Sequence, residues 1–115
     1  MSQTLELLQS MRSKIASGWT QSCAARNRAG FPVVAYSEDA VQWCLVGSIG
    51  ANKNVRGMSN MNVRMEVYRI IADLLANRNE PPSMELFNDK ENRTKEEVLE
   101  LLDEAISVAS VGGFE

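Results

Sequence analysis

Apolar positions recur at the three-to-four spacing of a core-facing helix in three stretches of the 115-residue chain. The first predicts a helix from Thr4 to Ser17, with Leu5, Leu8, Met11 and Ile15 on a stripe that continues to Trp19, and Glu6, Arg12 and Lys14 off it. Gly18 is placed to stop this helix, because glycine adopts a left-handed cap without steric penalty. The longest periodic stretch predicts a helix from Ser59 to Asn77 with Val63, Val67, Ile70 and Leu74 on its inner stripe, and Arg69 and Asp73 as an exposed i,i+4 pair. The last helix carries Val98, Leu101, Leu102, Ala105, Ile106 and Ala109. Its start is the best marked in the chain, since Thr94 and Glu97 form a capping box. Gly112 and Gly113 then release a short tail.

Between these stretches the pattern changes. Arg26, Asn27, Arg28 and Gly30 read as an exposed turn, and Phe31 to Tyr36 as an extended segment held straight by Pro32 and the Val33–Val34 pair, a short strand with no evident partner. Ser37 to Ile49 reads as a second helix, capped by Ser37, with Glu38 and Asp39 in its first turn. Its run Trp43–Cys44–Leu45–Val46 is apolar on every side, which marks a central, buried helix ended by Gly50, with Gly47 and Ser48 letting neighbouring backbones approach. Residues 51–58 read as a polar loop carrying Lys53, Arg56 and Gly57. Pro81 and Pro82 open an irregular connector over 83–93 in which Leu86 and Phe87 anchor to the core. The expected architecture is therefore all-α: a single domain over residues 1–115, its ordered core about residues 4–110 by this reading, with about four helices and one extended segment near residues 31–36.

Composition narrows the function classes. The chain has no histidine, which removes the commonest general base, the Ser/His and Cys/His triads and the usual zinc sites. Two cysteines are too few for a disulfide scaffold, and neither a signal-peptide pattern nor a run of ~20 apolar residues is present, so a reduced, cytoplasmic protein is expected. Residues 1–80 carry nine Lys/Arg against six Asp/Glu, and residues 81–115 three against nine. That asymmetry makes the last helix an acidic face, suited either to steering a partner or simply to solvation.

Candidate chemistry is sparse. Cys44, flanked by apolar residues, reads as an inert small hydrophobe, and Cys23, near Arg26 and Arg28, as the more reactive thiol. Residues Asp89 to Glu100 have the spacing of a calcium loop, but cations stand at two ligand positions and Thr94 at the place of the obligatory glycine. Gly47, Gly50 and Lys53 lack the spacing of a phosphate loop. The sequon Asn92-Arg93-Thr94 has no meaning without secretion. One constellation has chemical sense. Arg26 and Arg28 in one loop, with Lys53 and Arg56 in another, would make an anion-binding patch if folding brought them within about 10 Å, with Tyr36 and Phe31 as stacking surface. The plainer reading is four solvated loop cations.

The pattern Gly18-Trp19, then Ala40, Trp43-Cys44 and Gly47-Ser48, then Asn88-Asp89, Arg93-Thr94 and Glu96-Glu97-Val98, resembles that of a group of small bacterial and phage domains of unknown function, over roughly residues 5–109. The resemblance implies no activity; it implies a phage or prophage accessory role. Most of these residues look structural, and Asn88, Asp89 and Arg93 are those polar enough to suspect of binding.

The leading expectation is a non-enzymatic accessory protein acting on a host protein or on its own copies as a homodimer, through Glu96, Glu97, Glu100, Asp103 and Glu104. The apolar run Trp43–Val46 is the reason to expect a dimer. The second expectation is a small anionic or nucleotide ligand held by Arg26, Arg28, Lys53 or Arg56 with an aromatic residue, and a third, an enzyme using paired carboxylates or a lysine, finds no such group in an evidently apolar setting. No cofactor, metal or membrane is expected, and nucleic acid is not an expected partner.

Overall fold

The computed structural model describes residues 2–52 and 60–112. Its elements are α1 (Gln3–Ser17), β1 (Ala25–Asn27), β2 (Pro32–Val33), β3 (Ala40–Trp43), α2 (Leu45–Gly50), α3 (Met61–Asn77), α4 (Met84–Asp89) and α5 (Lys95–Gly112). The fold is α+β, not the all-α bundle that the periodicity predicts: a three-stranded antiparallel sheet in the order β2-β1-β3 sits beside the helices.

The helical frame follows the sequence closely. The Ser2 hydroxyl caps α1 by accepting from the Leu5 amide at 3.0 Å, and Leu7, Leu8, Met11 and Ile15 are fully buried. Asn60 caps α3, its side-chain oxygen accepting from the Asn62 and Val63 amides, and Val63, Val67, Ile70, Ile71 and Leu75 face inward. The capping box of α5 forms as the spacing requires: the Thr94 amide donates to the Glu97 carboxylate at 2.9 Å and the Glu97 amide to the Thr94 hydroxyl at 3.2 Å. Helix α5 packs against α1 and α3 and buries Val98, Leu101, Leu102, Ala105 and Ala109 between them.

The sheet comes from the region whose period breaks. Arg26 and Asn27, read above as an exposed turn, lie in β1, and the extended segment finds its partner there: Ala25 pairs with Val33 and Arg26 with Pro32. The tight turn closes with Gly30 at φ 90°, a left-handed conformation that glycine takes without strain. On its other side β1 pairs with β3, with a register shift between Arg26 and Asn27. Ala40 to Trp43 is therefore a strand, not the first half of a helix. Ser37 serves a turn instead of a helix cap, its hydroxyl accepting from the Asp39 amide at 3.1 Å.

Helix α2 begins at Leu45, capped by the Cys44 sulfur, which accepts from the Gly47 amide at 3.2 Å. The all-apolar run at residues 43–46 is thus a strand-to-helix junction. Trp43 closes β3 and Leu45 opens α2, so a run that is apolar throughout belongs to two elements and not to one helix buried on all sides. Trp43 is nearly buried and Leu45 wholly so within this chain's own core, which removes the reason given above for a dimer at that run.

Two glycines permit the sheet and helices to touch. A Cβ at Gly47 would stand 1.9 Å from the Ala24 carbonyl oxygen, and one at Gly18 would stand 2.1 Å from that of Val41. Gly18 is extended, with φ −180°, so it ends α1 through this close approach and not through a left-handed cap. The connector over 83–93 is also more regular than expected. Ser83 caps the short helix α4 by accepting from the Leu86 amide. Phe87 is buried, as expected, but Leu86 is 60% exposed, since adjacent helical residues point about 100° apart.

Candidate functional site

The residues suspected of binding from their polarity are woven into the fold. Asn88 is buried at the end of α4 and uses both ends of its amide. Its oxygen accepts from the Trp19 indole at 2.8 Å and the Leu45 amide at 3.1 Å, and its nitrogen donates to the Thr20 carbonyl at 3.1 Å and to Asp89 at 2.9 Å. Asp89 in turn accepts from the Ser22 amide at 2.9 Å, which helps hold Ser22 at φ 73°. Gln21 donates to the carbonyls of Asn88 and Lys90. The strap of residues 18–22 is therefore pinned to α4 on one side. On the other it pairs with β3, where the Thr20 amide donates to Trp43 and the Trp43 amide to Gly18.

Arg93 completes this seam. Its side chain is 6% exposed; the guanidinium lies 3.7 Å from the centroid of the Phe87 ring and donates to the Phe87 carbonyl at 2.7 Å, to Glu80 at 2.9 Å and to Glu97 at 3.3 Å. Three chain segments meet on one cation that the stacked ring shields from water. Among the described residues no buried side-chain polar atom lacks a partner.

The expected anion patch fares unevenly. The Arg26 guanidinium is used internally, donating to the Thr20 hydroxyl at 2.8 Å and to the carbonyls of Gly30 and Gln21. Arg28 is exposed and lines a shallow cleft with Glu38 and Asp39, two carboxylates that oppose an anion. Phe31 and Tyr36 are exposed beyond it, 67% and 59%. Lys53 and Arg56 lie outside the described residues.

The acidic helix is partly neutralised. Glu97 caps α5 and pairs with Arg93, Asp103 pairs with Arg12, and Glu104 with Arg78. Glu96 and Glu100 are exposed and have no ion-pair partner among the described residues. The cap and its neighbours act on charge: the Thr94 amide above all holds the Glu97 carboxyl below the usual carboxylate range against desolvation, with lesser help from the Thr94 hydroxyl and Arg93.

Both thiols border one cleft of about 260 Å³, with Val46, Glu85 and Asp89 nearby. Burial pushes the Cys44 thiol up, despite amide donors at Gly47 and Val46. The Cys23 thiol donates to the Ala25 carbonyl at 3.4 Å. Among the described residues no group of three His, Cys, Asp or Glu side chains is placed to hold a metal ion, and no helix is long and apolar enough to cross a membrane.

Polarity alone does not point to the surface that stands out in three dimensions. Met61, Met65 and Tyr68 on α3 are 65%, 61% and 43% exposed. With half-buried Ala72 they follow a four-three-four spacing along one outer stripe. At its Ala72 end the stripe opens into a cleft of about 290 Å³ lined also by Val46, Pro82, Ser83, Met84 and Glu85. The period was readable in the sequence, but the inner stripe of the same helix has the stronger apolar signal and masks it.

Neither the curated proteins nor the solved structures contain a match to the chain. A family model does match, over residues 1–108, and the chain belongs to that family, described as a family of unknown function (DUF6197).

Proposed function

We propose that this chain is a non-enzymatic accessory binding protein that works by contact with another protein chain, its contact surface being the outer stripe of α3. The observation that carries this reading is the exposure of Met61, Met65 and Tyr68 in register on one helix. Scattered apolar residues on a surface need no explanation, but an ordered apolar row that ends at a cleft is the form of a protein-binding face. Methionine suits such a face because its side chain is flexible and polarizable and fits irregular partners.

Glu96 and Glu100, without an ion-pair partner among the described residues, add a negative field that steers encounter without anchoring it. A phage- or prophage-encoded protein acting on a host factor fits this reading. An anionic small molecule finds less support, because the Arg26 donors are engaged and Arg28 faces carboxylates.

The test is photo-crosslinking in bacterial cells with a benzophenone amino acid at position 65, and at position 100 as the control. The expected result is a discrete protein adduct from position 65, of any protein identity, that Met61→Glu suppresses. Adducts no stronger from position 65 than from position 100 would remove the α3 face from the reading.

A further inference from the structure

The stripe on α3 has a property that a generic apolar patch lacks: its two ends complement each other. One end carries Met61, a long flexible apolar side chain that is 65% exposed. The other end carries Ala72, a small residue at the mouth of a cleft whose apolar wall is Val46, Tyr68, Pro82 and Met84 and whose rim includes Ser83 and Glu85. Eleven residues separate them, about 16 Å at the helical rise of ~1.5 Å per residue. We infer that the occupant of this face is a second copy of the same chain, with the two α3 helices packed antiparallel about a twofold axis lying between Met65 and Tyr68. This rests on the reading of α3 as a protein-binding face and names its partner.

Such an axis sets Met61 of each copy opposite the partner's Ala72 and Met65 opposite the partner's Tyr68. Each Met61 then enters the partner's cleft, whose volume of about 290 Å³ has room for a thioether side chain. The contact is isologous, so both clefts are filled at once and the assembly closes as a dimer without propagating. A cleft filled by the partner's knob is the packing seen at helix seams generally.

The charges beside the stripe agree with the same axis. Glu66, Arg69 and Asp73 form a ladder along one edge of α3, with Arg69 bonded to Glu66 at 2.5 Å and to Asp73 at 3.0 Å. An antiparallel twofold keeps the two ladders on the same side of the seam and sets Arg69 within one helical turn of the partner's Glu66. The two Glu66–Arg69 contacts across the seam are attractive and offset the meeting of the two Glu66 side chains near the axis, whereas a parallel twofold would put the ladders on opposite sides of the seam, where they could not pair. With one helix face as its centre the interface falls at the small end of specific association, so the dimer is expected to be reversible.

The experiment is sedimentation equilibrium of the purified full chain, followed by the variants Met65→Glu, Arg69→Glu and Glu66→Arg, each checked for native circular dichroism. The wild type is expected to show a concentration-dependent monomer–dimer equilibrium, and Met65→Glu to weaken it by at least about tenfold. Arg69→Glu and Glu66→Arg should each be weakened alone, since neither can repair its ladder internally, and an equimolar mixture of the two should recover a heterodimer at least as tight as the wild type. That recovery cannot come from a monomer's internal ion pair and does not depend on Met65→Glu folding. A wild type monomeric at the highest concentration reached, a dimer that survives Met65→Glu unchanged, or a mixture no tighter than its components would overturn the inference. If the chain is monomeric yet position 65 still crosslinks to a different protein, self-association fails while the binding reading stands.

Discussion

The seam around Asn88 and Arg93 and the outer stripe of α3 invert what their sequences suggest. The seam is built of amides and charges, the vocabulary of binding sites, and nearly all of its donors and acceptors are engaged within the chain. The stripe is built of Met and Tyr, the vocabulary of a core, and it faces solvent. Residue type alone therefore cannot nominate a site here. What separates the two regions is whether each group's natural partners lie inside the chain. A buried amide with four hydrogen bonds has no capacity left for a ligand, and an exposed thioether has most of its apolar surface still uncovered.

The comparison breaks first, and by the widest margin, at Asn88. Asn88→Ala strands the Leu45 amide and the Thr20 carbonyl away from water and takes the acceptor from the half-buried Trp19 indole, and each buried polar group left unpaired costs about 1–3 kcal/mol. The expected loss is about 3–5 kcal/mol in urea unfolding, a large part of the roughly 5–15 kcal/mol that holds a domain together. Met65→Ala, measured at low concentration, should change stability by no more than about 0.5 kcal/mol, because it removes an exposed side chain. If Asn88→Ala were as mild as Met65→Ala, the seam would be a surface network open to ligands and the contrast would collapse.

A smaller effect is expected at Arg93. Lysine keeps the charge but cannot hold the Phe87 carbonyl, Glu80 and Glu97 from one planar fork while stacking on the Phe87 ring. Arg93→Lys should destabilise by roughly 1–2 kcal/mol. Urea unfolding reads this directly, and a loss below a few tenths would show that charge and not fork geometry is what the site uses.

The parts legible in sequence were those where local rules and tertiary context agree. Helix α5 announces itself because Thr94 and Glu97 satisfy each other's amides within one turn. Helices α1 and α3 follow from apolar period, although Leu7 and Ile71, off the stripes read from sequence, are as buried as the residues on them. The sheet was hidden because its information is non-local. Strand β1 has three residues, two of them polar, and is a strand because β2 and β3 flank it. Trp43 and Leu45 stand two apart in a run with no turn signal, yet the chain changes from strand to helix at Cys44, whose sulfur caps the helix in place of the usual oxygen. The strongest available clue was Gly47, whose missing Cβ makes way for the Ala24 carbonyl. The sequence marks a close approach there without naming the backbone that approaches.

The candidate site divides along the same line. Asn88, Asp89 and Arg93 were legible as special, and their number of partners was not, since those partners come from residues as distant as Trp19 and Ser22. The row Met61, Met65 and Tyr68 was legible as apolar, but which of two apolar stripes on α3 faces water is decided by where α1 and α5 pack.

The finest test of the contrast is the pH dependence of the seam's outer edge. Glu97 belongs to both regions in sequence terms, since it was assigned to the acidic interaction face and yet caps α5 and pairs with Arg93. The Thr94 amide above all holds the Glu97 carboxyl below the usual carboxylate range in the folded chain, so the folded state gives up this proton at lower pH than the unfolded state does. Where the unfolded chain binds more protons, stability rises with pH. The contribution of Glu97 is therefore fully present above the ordinary carboxylate range and is lost as pH falls through the depressed folded value. Glu97→Gln keeps a capping side chain without the charge, so the variant should lie slightly below the wild type at neutral pH and converge with it below the carboxylate range. Urea midpoints at neutral and acidic pH read the difference. A gap that stays constant on acidification would mean that the charge plays no part in the cap, and would return Glu97 to the exposed acidic face with Glu96 and Glu100.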